Sequence, residues 1–176
     1  KYVKKNGKLV IGYTNYEPMN YFDENGNFTG FDTELATIVC EKLGVDPDFV
    51  EIDWNTKEVE LNAKSIDCIW NGMTILPDRV ETMEVTKPYV KNAQVVIVKK
   101  GTAYDGTASL IGKTVVAEQG SAGEETIMAD DNLKQANYIP KNVQTDCLME
   151  IKSGTADAAV LDLTLAKTMT GPGTSY

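Results

Sequence analysis

Short apolar runs alternate with amphipathic stretches along this chain. Residues 8–13 (KLVIGY) form a first apolar run of strand length. Residues 21–28 read as a hairpin turning on Asn25-Gly26, a dipeptide suited to the left-handed backbone of a tight turn. Phe31, Leu35, Ile38, Val39 and Leu43 then recur at helical spacing, and Gly44 stands where a left-handed residue ends a helix. The pattern next predicts a strand at 49–52, a short helix at 55–63 and a strand at 67–70, with Pro77 suited to the first turn of a further helix. After Tyr89 the alternation restarts. Strands are predicted at 93–99, 113–117, 137–139 and 157–161, and helices at 121–128, 144–152 and 163–169. Strands alternating with helices predict parallel sheets covered by helices.

The two halves also resemble each other. Gly7-Lys8-Leu9-Val10-Ile11 matches Gly112-Lys113-Thr114-Val115-Val116 as a strand opening. Later, Lys64-Ser65-Ile66-Asp67-Cys68-Ile69 parallels the segment from Ser153 to Val160, where an Asp again leads an apolar strand. The expected fold class is therefore α/β: two similar lobes, residues 1–90 and 91–176, each an open and mostly parallel sheet flanked by helices. A hinge would join them, with a ligand cleft between, since such sheets bind ligands at the carboxyl ends of their strands.

Composition narrows the chemistry. The formal net charge of −9 argues against nucleic acid and anionic membrane surfaces as partners. Four lysines among the first eight residues are too few to reverse that, and they are expected to flank a linker. Cys40, Cys68 and Cys147 lack metal-site spacing and are expected to be buried free thiols. The chain has no histidine, which removes the commonest general base and metal ligand. No catalytic residue, metal or cofactor is expected.

Three features could bind a zwitterion. Arg79 is the sole arginine among 17 basic residues and follows a strand end. A guanidinium grips a carboxylate with two parallel hydrogen bonds, which an ammonium cannot imitate. Its plainer alternative is a surface ion pair with Asp78 or Glu81. Residues 119–123 (QGSAG) lie between a strand and a helix, where backbone N–H groups favour an anion; Ser121 serves equally well as an ordinary helix cap. Asp162 ends an apolar strand and supplies the opposite charge, unless it merely caps the next helix. Tyr16 and Trp54 follow the first two strands as candidate aromatic walls or as packing.

With these residues in place, the chain resembles the polar amino-acid-binding proteins that serve ABC importers, which have a two-lobed periplasmic-binding-protein fold. The likeness is carried by YEPM after the first strand, TGFDTELA, IDCIWNGMTILPDR, GKTVVAEQGSAGEE and GTADAAVLD, in that order. The resemblance implies that Tyr16 and Trp54 line the pocket and that the Gly72 carbonyl and Thr74 hydroxyl receive the ammonium. It implies that the Thr74 amide, Arg79, Ser121 and the Ala122 amide bind the carboxylate, and that Asp162 pairs with the ammonium. Asp32 reads as structural. Asn71 and Glu118 are expected near the ligand side chain, Asn71 suiting a polar neutral one and Glu118 a cationic one.

The implied function is capture of a free polar L-amino acid outside the cytoplasmic membrane, in the periplasm or tethered to the membrane's outer face, for delivery to ABC importer membrane subunits. A dehydratase of cyclic acids on the same fold, or the ligand-sensing domain of a receptor, stands as the alternative. The family continues with a returning strand and C-terminal helices that complete the first lobe. The chain is thus expected to be a truncated piece or a natural fragment. Self-association is then expected, through exchange of equivalent elements with residues 87–94 as the hinge.

Overall fold

The computed structural model describes all 176 residues, and its contacts divide them into units Lys1–Met73 and Thr74–Tyr176. The first unit runs α1 (Tyr2–Asn6), β1 (Lys8–Tyr13), β2 (Tyr21–Phe22), β3 (Phe28–Thr29), α2 (Phe31–Leu43) and β4 (Asp46–Glu51). A 3-10 turn, Trp54–Thr56, then leads into α3 (Lys57–Ala63) and β5 (Cys68–Ile69). The second unit runs α4 (Pro77–Thr82), β6 (Gln94–Val98), β7 (Thr114–Glu118), α5 (Ala122–Ala129), β8 (Asn137–Lys141), α6 (Gln144–Ser153), β9 (Ala158–Asp162) and α7 (Leu163–Met169). Its 3-10 turns are Thr107–Leu110 and Leu133–Gln135.

In the first unit β1 lies between β4 and β5, both parallel to it. Strand β4 starts three residues before the expected strand and includes Pro47, which is tolerated because β4 is an edge and that backbone need donate nothing. Ile11, Ala36, Cys40 and Val45 form the core, with Leu9, Phe49, Cys68 and Trp70 packed on it. The expected hairpin forms as β2–β3. Gly44 ends α2 at φ 70°, and its N–H bonds back to the Cys40 and Glu41 carbonyls. At the N-terminus Tyr2–Asn6, which carries Lys4 and Lys5, is helical and closes on a left-handed Gly7.

The second unit's sheet has the order β6-β9-β7-β8. Strands β7, β8 and β9 are parallel, but β6 runs antiparallel to β9, so the sheet is mixed at one edge. Its core holds Leu110, Val115, Ala117, Ile127, Leu133, Ala158 and Val160. Helix α5 approaches the sheet so closely that a Cβ on Gly123 would lie 2.7 Å from the Val160 carbonyl oxygen, which keeps glycine there. The cysteines are free, and burial pushes the Cys68 and Cys147 thiols up to about 12.

The division falls between residues 73 and 74 and not between 90 and 91. Long-range hydrogen bonds from Arg79 to Gly120 and Glu125 tie α4 into the second unit.

One local device recurs in both units. The Val10 N–H donates to Asp67 Oδ2 at 2.9 Å, and the Thr114 N–H donates to Asp157 Oδ2 at 2.8 Å. Each Asp returns its own N–H to the same strand residue's carbonyl. The preceding helix closes alike: Ser65 Oγ and Thr155 Oγ1 donate to both the backbone and the carboxylate of Glu60 and Glu150. This equates Val10 with Thr114, one residue away from the sequence match of Val10 with Val115. Strand side chains alternate faces, so that one-residue difference decides which positions point the same way.

Candidate functional site

Parallel pairing of β7 and β9 places their carboxyl ends side by side, and the antiparallel β6 brings its first residues to that same end. Asp162, the last residue of β9, is 7 % exposed. Its Oδ1 accepts from Asn92 Nδ2 at 2.8 Å and Gln94 Nε2 at 2.5 Å, and its Oδ2 from Gln144 Nε2 at 2.7 Å. The Gln144 side-chain oxygen accepts the Asp162 backbone N–H in return. Asp162 precedes α7, but its side chain caps nothing there. All three side chains bonded to it are neutral amides, so they orient the carboxylate without cancelling its charge. The amides satisfy its oxygens as a buried carboxylate requires.

Glu118 ends β7 and is 3 % exposed. Its charge contributes to raising the Cys147 thiol pKa, after burial as the main cause. Beyond it the chain turns through Gly120 into α5. Ser121 caps that helix, its Oγ accepting from the Gly123 and Glu124 N–H groups. The Glu125 N–H goes to the Ser121 carbonyl. Of the first-turn donors, this leaves the Ala122 N–H outside the cap, and the Ser121 hydroxyl proton can still be donated. Glu124 accepts the Gly120 N–H at 2.6 Å and the Tyr138 hydroxyl at 3.0 Å. Burial first, and then that bond to Glu124, raises the Tyr138 pKa.

Arg79 sits on α4, whose first position is Pro77 as the sequence indicated. It is buried, and pairs with neither Asp78 nor Glu81. Nη1 donates to the Thr74 carbonyl at 2.9 Å, and Nη2 to the Gly120 carbonyl at 3.1 Å and to Glu125 Oε1 at 3.4 Å. A cavity of about 270 Å³ opens in this unit beside these groups, lined among others by Thr74, Asn92, Gln94, Ala122 and Glu125. The second unit therefore gathers Thr74, Arg79, Ser121, Ala122, Glu118 and Asp162, of which Thr74 and Ala122 reach the cavity wall directly.

The first unit places its candidates by packing and neutral hydrogen bonds. Asn71 is buried beyond β5. Its Oδ1 accepts the Thr14 hydroxyl at 2.7 Å, while Nδ2 donates to the Thr14 carbonyl and to Asn20 Oδ1, both at 2.8 Å. Both amide hydrogens are thus committed within the unit, so Asn71 acts here as a brace. Gly72 takes φ 67°, and a Cβ there would lie 3.1 Å from Tyr16 Cε1, so Gly72 and the Tyr16 ring are in close contact. Tyr16 also exchanges backbone hydrogen bonds with Asn20. Trp54 is buried at the start of its 3-10 turn, with the Lys57 ammonium 5.0 Å from its ring centroid. Asp32 is buried in the first turn of α2, in keeping with a structural role.

Sequence reasoning missed Asn92, Gln94, Gln144 and Glu125. The first two had a legible signal, since polar residues open an otherwise apolar strand. Gln144 and Glu125 had none, because their partners lie 18 and 46 residues away.

Residues 9–159 match the family described as bacterial extracellular solute-binding proteins, family 3. The chain is 30 % identical over 159 residues to the arginine-binding extracellular protein ArtP of Bacillus subtilis, covering 88 % of this chain and 61 % of that one. It is 27 % identical over 165 residues to the L-cystine-binding protein TcyJ of Escherichia coli K12, covering 91 % and 60 %. The chain thus spans about 60 % of the length of these curated relatives. Among solved structures, a truncated arginine-bound ArgBP from T. maritima superposes with a TM-score of 0.88 at 32 % identity, covering 95 % of this chain and 79 % of that one.

Proposed function

We propose that this chain, which belongs to the bacterial extracellular solute-binding proteins of family 3, binds a free polar L-amino acid for delivery to the membrane subunits of an ABC importer, and converts nothing. The observation that carries the reading is Asp162, a buried carboxylate oriented by three neutral amides, in the same unit as a buried arginine and a helix N-terminus with an uncapped N–H. Asp162 receives the α-ammonium. Arg79, the Thr74 amide, the Ser121 hydroxyl and the Ala122 amide hold the α-carboxylate. Within the first unit the candidate residues are uncharged: the Tyr16 and Trp54 rings, the Gly72 carbonyl and the loop that Asn71 braces.

Glu118 reads the side chain and favours a cationic one, which agrees with the arginine named for ArtP and for the T. maritima structure. The protein works outside the cytoplasmic membrane, free in the periplasm or tethered to the membrane's outer face; no helix is long and apolar enough to cross a membrane. Exposed Phe31, Ile38 and Leu43 on α2 support self-association, for which light scattering at micromolar concentration should show a dimer or larger species. A monodisperse monomer would remove that part of the reading.

Calorimetric titration with L-arginine, L-histidine, L-cystine and L-glutamine tests the function. At least one should bind stoichiometrically, L-arginine being the first expected, and mass spectrometry should return it unchanged. A folded chain that binds none of them, or that generates product in proportion to its concentration, overturns the proposal.

A further inference from the structure

We propose that Glu125 competes with the amino acid's α-carboxylate for Arg79, and so sets the affinity of the site from within. The inference rests on the reading of Arg79 given above. The Arg79 side chain is 2 % exposed, and a guanidinium buried to that degree is costly unless an anion compensates it. Two of its three acceptors, the Thr74 and Gly120 carbonyls, are neutral. Glu125 is the one carboxylate within ion-pair distance.

The three acceptors differ in how readily they can leave. The carbonyls are backbone, Thr74 just before α4 and Gly120 in the turn between β7 and α5. Glu125 reaches Arg79 from the first turn of α5 at 3.4 Å, longer than the roughly 2.7–2.9 Å of a strong charge-assisted hydrogen bond. Its side chain is 46 % exposed, so rotation about its own bonds carries it into water at small cost. It also stands on the wall of the 270 Å³ cavity together with Thr74 and Ala122. Glu125 lines that cavity and Arg79 does not, so a carboxylate in the cavity meets Glu125 before the guanidinium. It must displace Glu125 from the guanidinium or bind beside a like charge, and either opposes binding. A half-exposed, loosely held carboxylate is replaceable in a way that two backbone carbonyls are not.

Removing the charge should therefore tighten binding of the acid and leave its amide unaffected. The test compares wild type, Glu125→Gln and Glu125→Ala by calorimetry with L-arginine, L-histidine, L-cystine and L-glutamine, and with L-argininamide and L-histidinamide, which lack the carboxylate. Whichever acid the wild type binds should bind both variants at least about fivefold tighter, while the amides shift less than twofold. A Glu125 that merely braces the fold would lower the melting temperature of the variants and give no gain specific to the acid. Variants that stay folded and bind the acid equally or more weakly overturn the proposal and leave the functional reading intact. Failure of wild type and variants alike to bind any of the four acids overturns the functional reading, and this inference with it.

Discussion

Asp67 in the first unit and Asp157 in the second hold the same post. Each follows a helix closed by a hydroxyl–glutamate turn, leads an apolar strand, and ties that strand's neighbour by one backbone N–H. Beyond those strands the units part. The second ends β9 on a charged residue, Asp162, and brings Arg79 and Glu118 into the same body. The first follows β5 with Trp70, Asn71 and Gly72, and braces its loops with amides and hydroxyls. A repeated fold thus carries an unrepeated distribution of charge. The same backbone device positions strands that end on different side chains, so a charged strand end in one unit and a neutral one in the other are compatible with the same local fold.

This contrast can be broken by experiment. The largest effect is expected from Asn71→Ala, which strands buried partners on Thr14 and Asn20; urea unfolding should show a loss of about 3 kcal/mol. If the first unit's brace is purely structural, binding by the remaining folded protein should be little changed. Arg79→Lys should cost on the order of 1.5–3 kcal/mol of binding, at least tenfold by calorimetry. Unchanged affinity in a folded Arg79→Lys variant would take charge recognition away from the second unit.

Asp162→Asn should weaken every accepted amino acid by one common factor, about tenfold, because the α-ammonium proposed as its partner is shared by all of them. A loss confined to one amino acid would make Asp162 a reader of side chains instead. The smallest effects belong to the shared device. Asp67→Ala and Asp157→Ala should each lower stability by about 1 kcal/mol or less, with Asp157 the milder because its hydrogen bond is exposed. Markedly unequal effects, or any change in amino-acid affinity, would end the equivalence drawn between the two posts.

Much of this was legible in the sequence. Apolar runs placed β1 at Lys8–Tyr13 and α7 at Leu163–Met169 to the residue. Gly44, Pro77 and Ser121 marked the helix ends they occupy. These features are local: hydrophobic period, a positive φ, a missing N–H and a cap all act within a few residues, so a short window contains their cause. The candidates Arg79 and Asp162 were also visible, as the lone arginine and as a charge closing an apolar strand.

Tertiary structure alone decided the rest. It turned β6 antiparallel, displaced the repeat by one residue, drew α4 into the second unit, and surrounded Asp162 with Asn92, Gln94 and Gln144. It also gave Arg79 the partner Glu125 in place of its sequence neighbours Asp78 and Glu81. Strand direction and register depend on which backbones meet after the chain has folded back on itself. The partner of a buried charge is likewise chosen by packing across 46 residues, a distance over which no local pattern carries information.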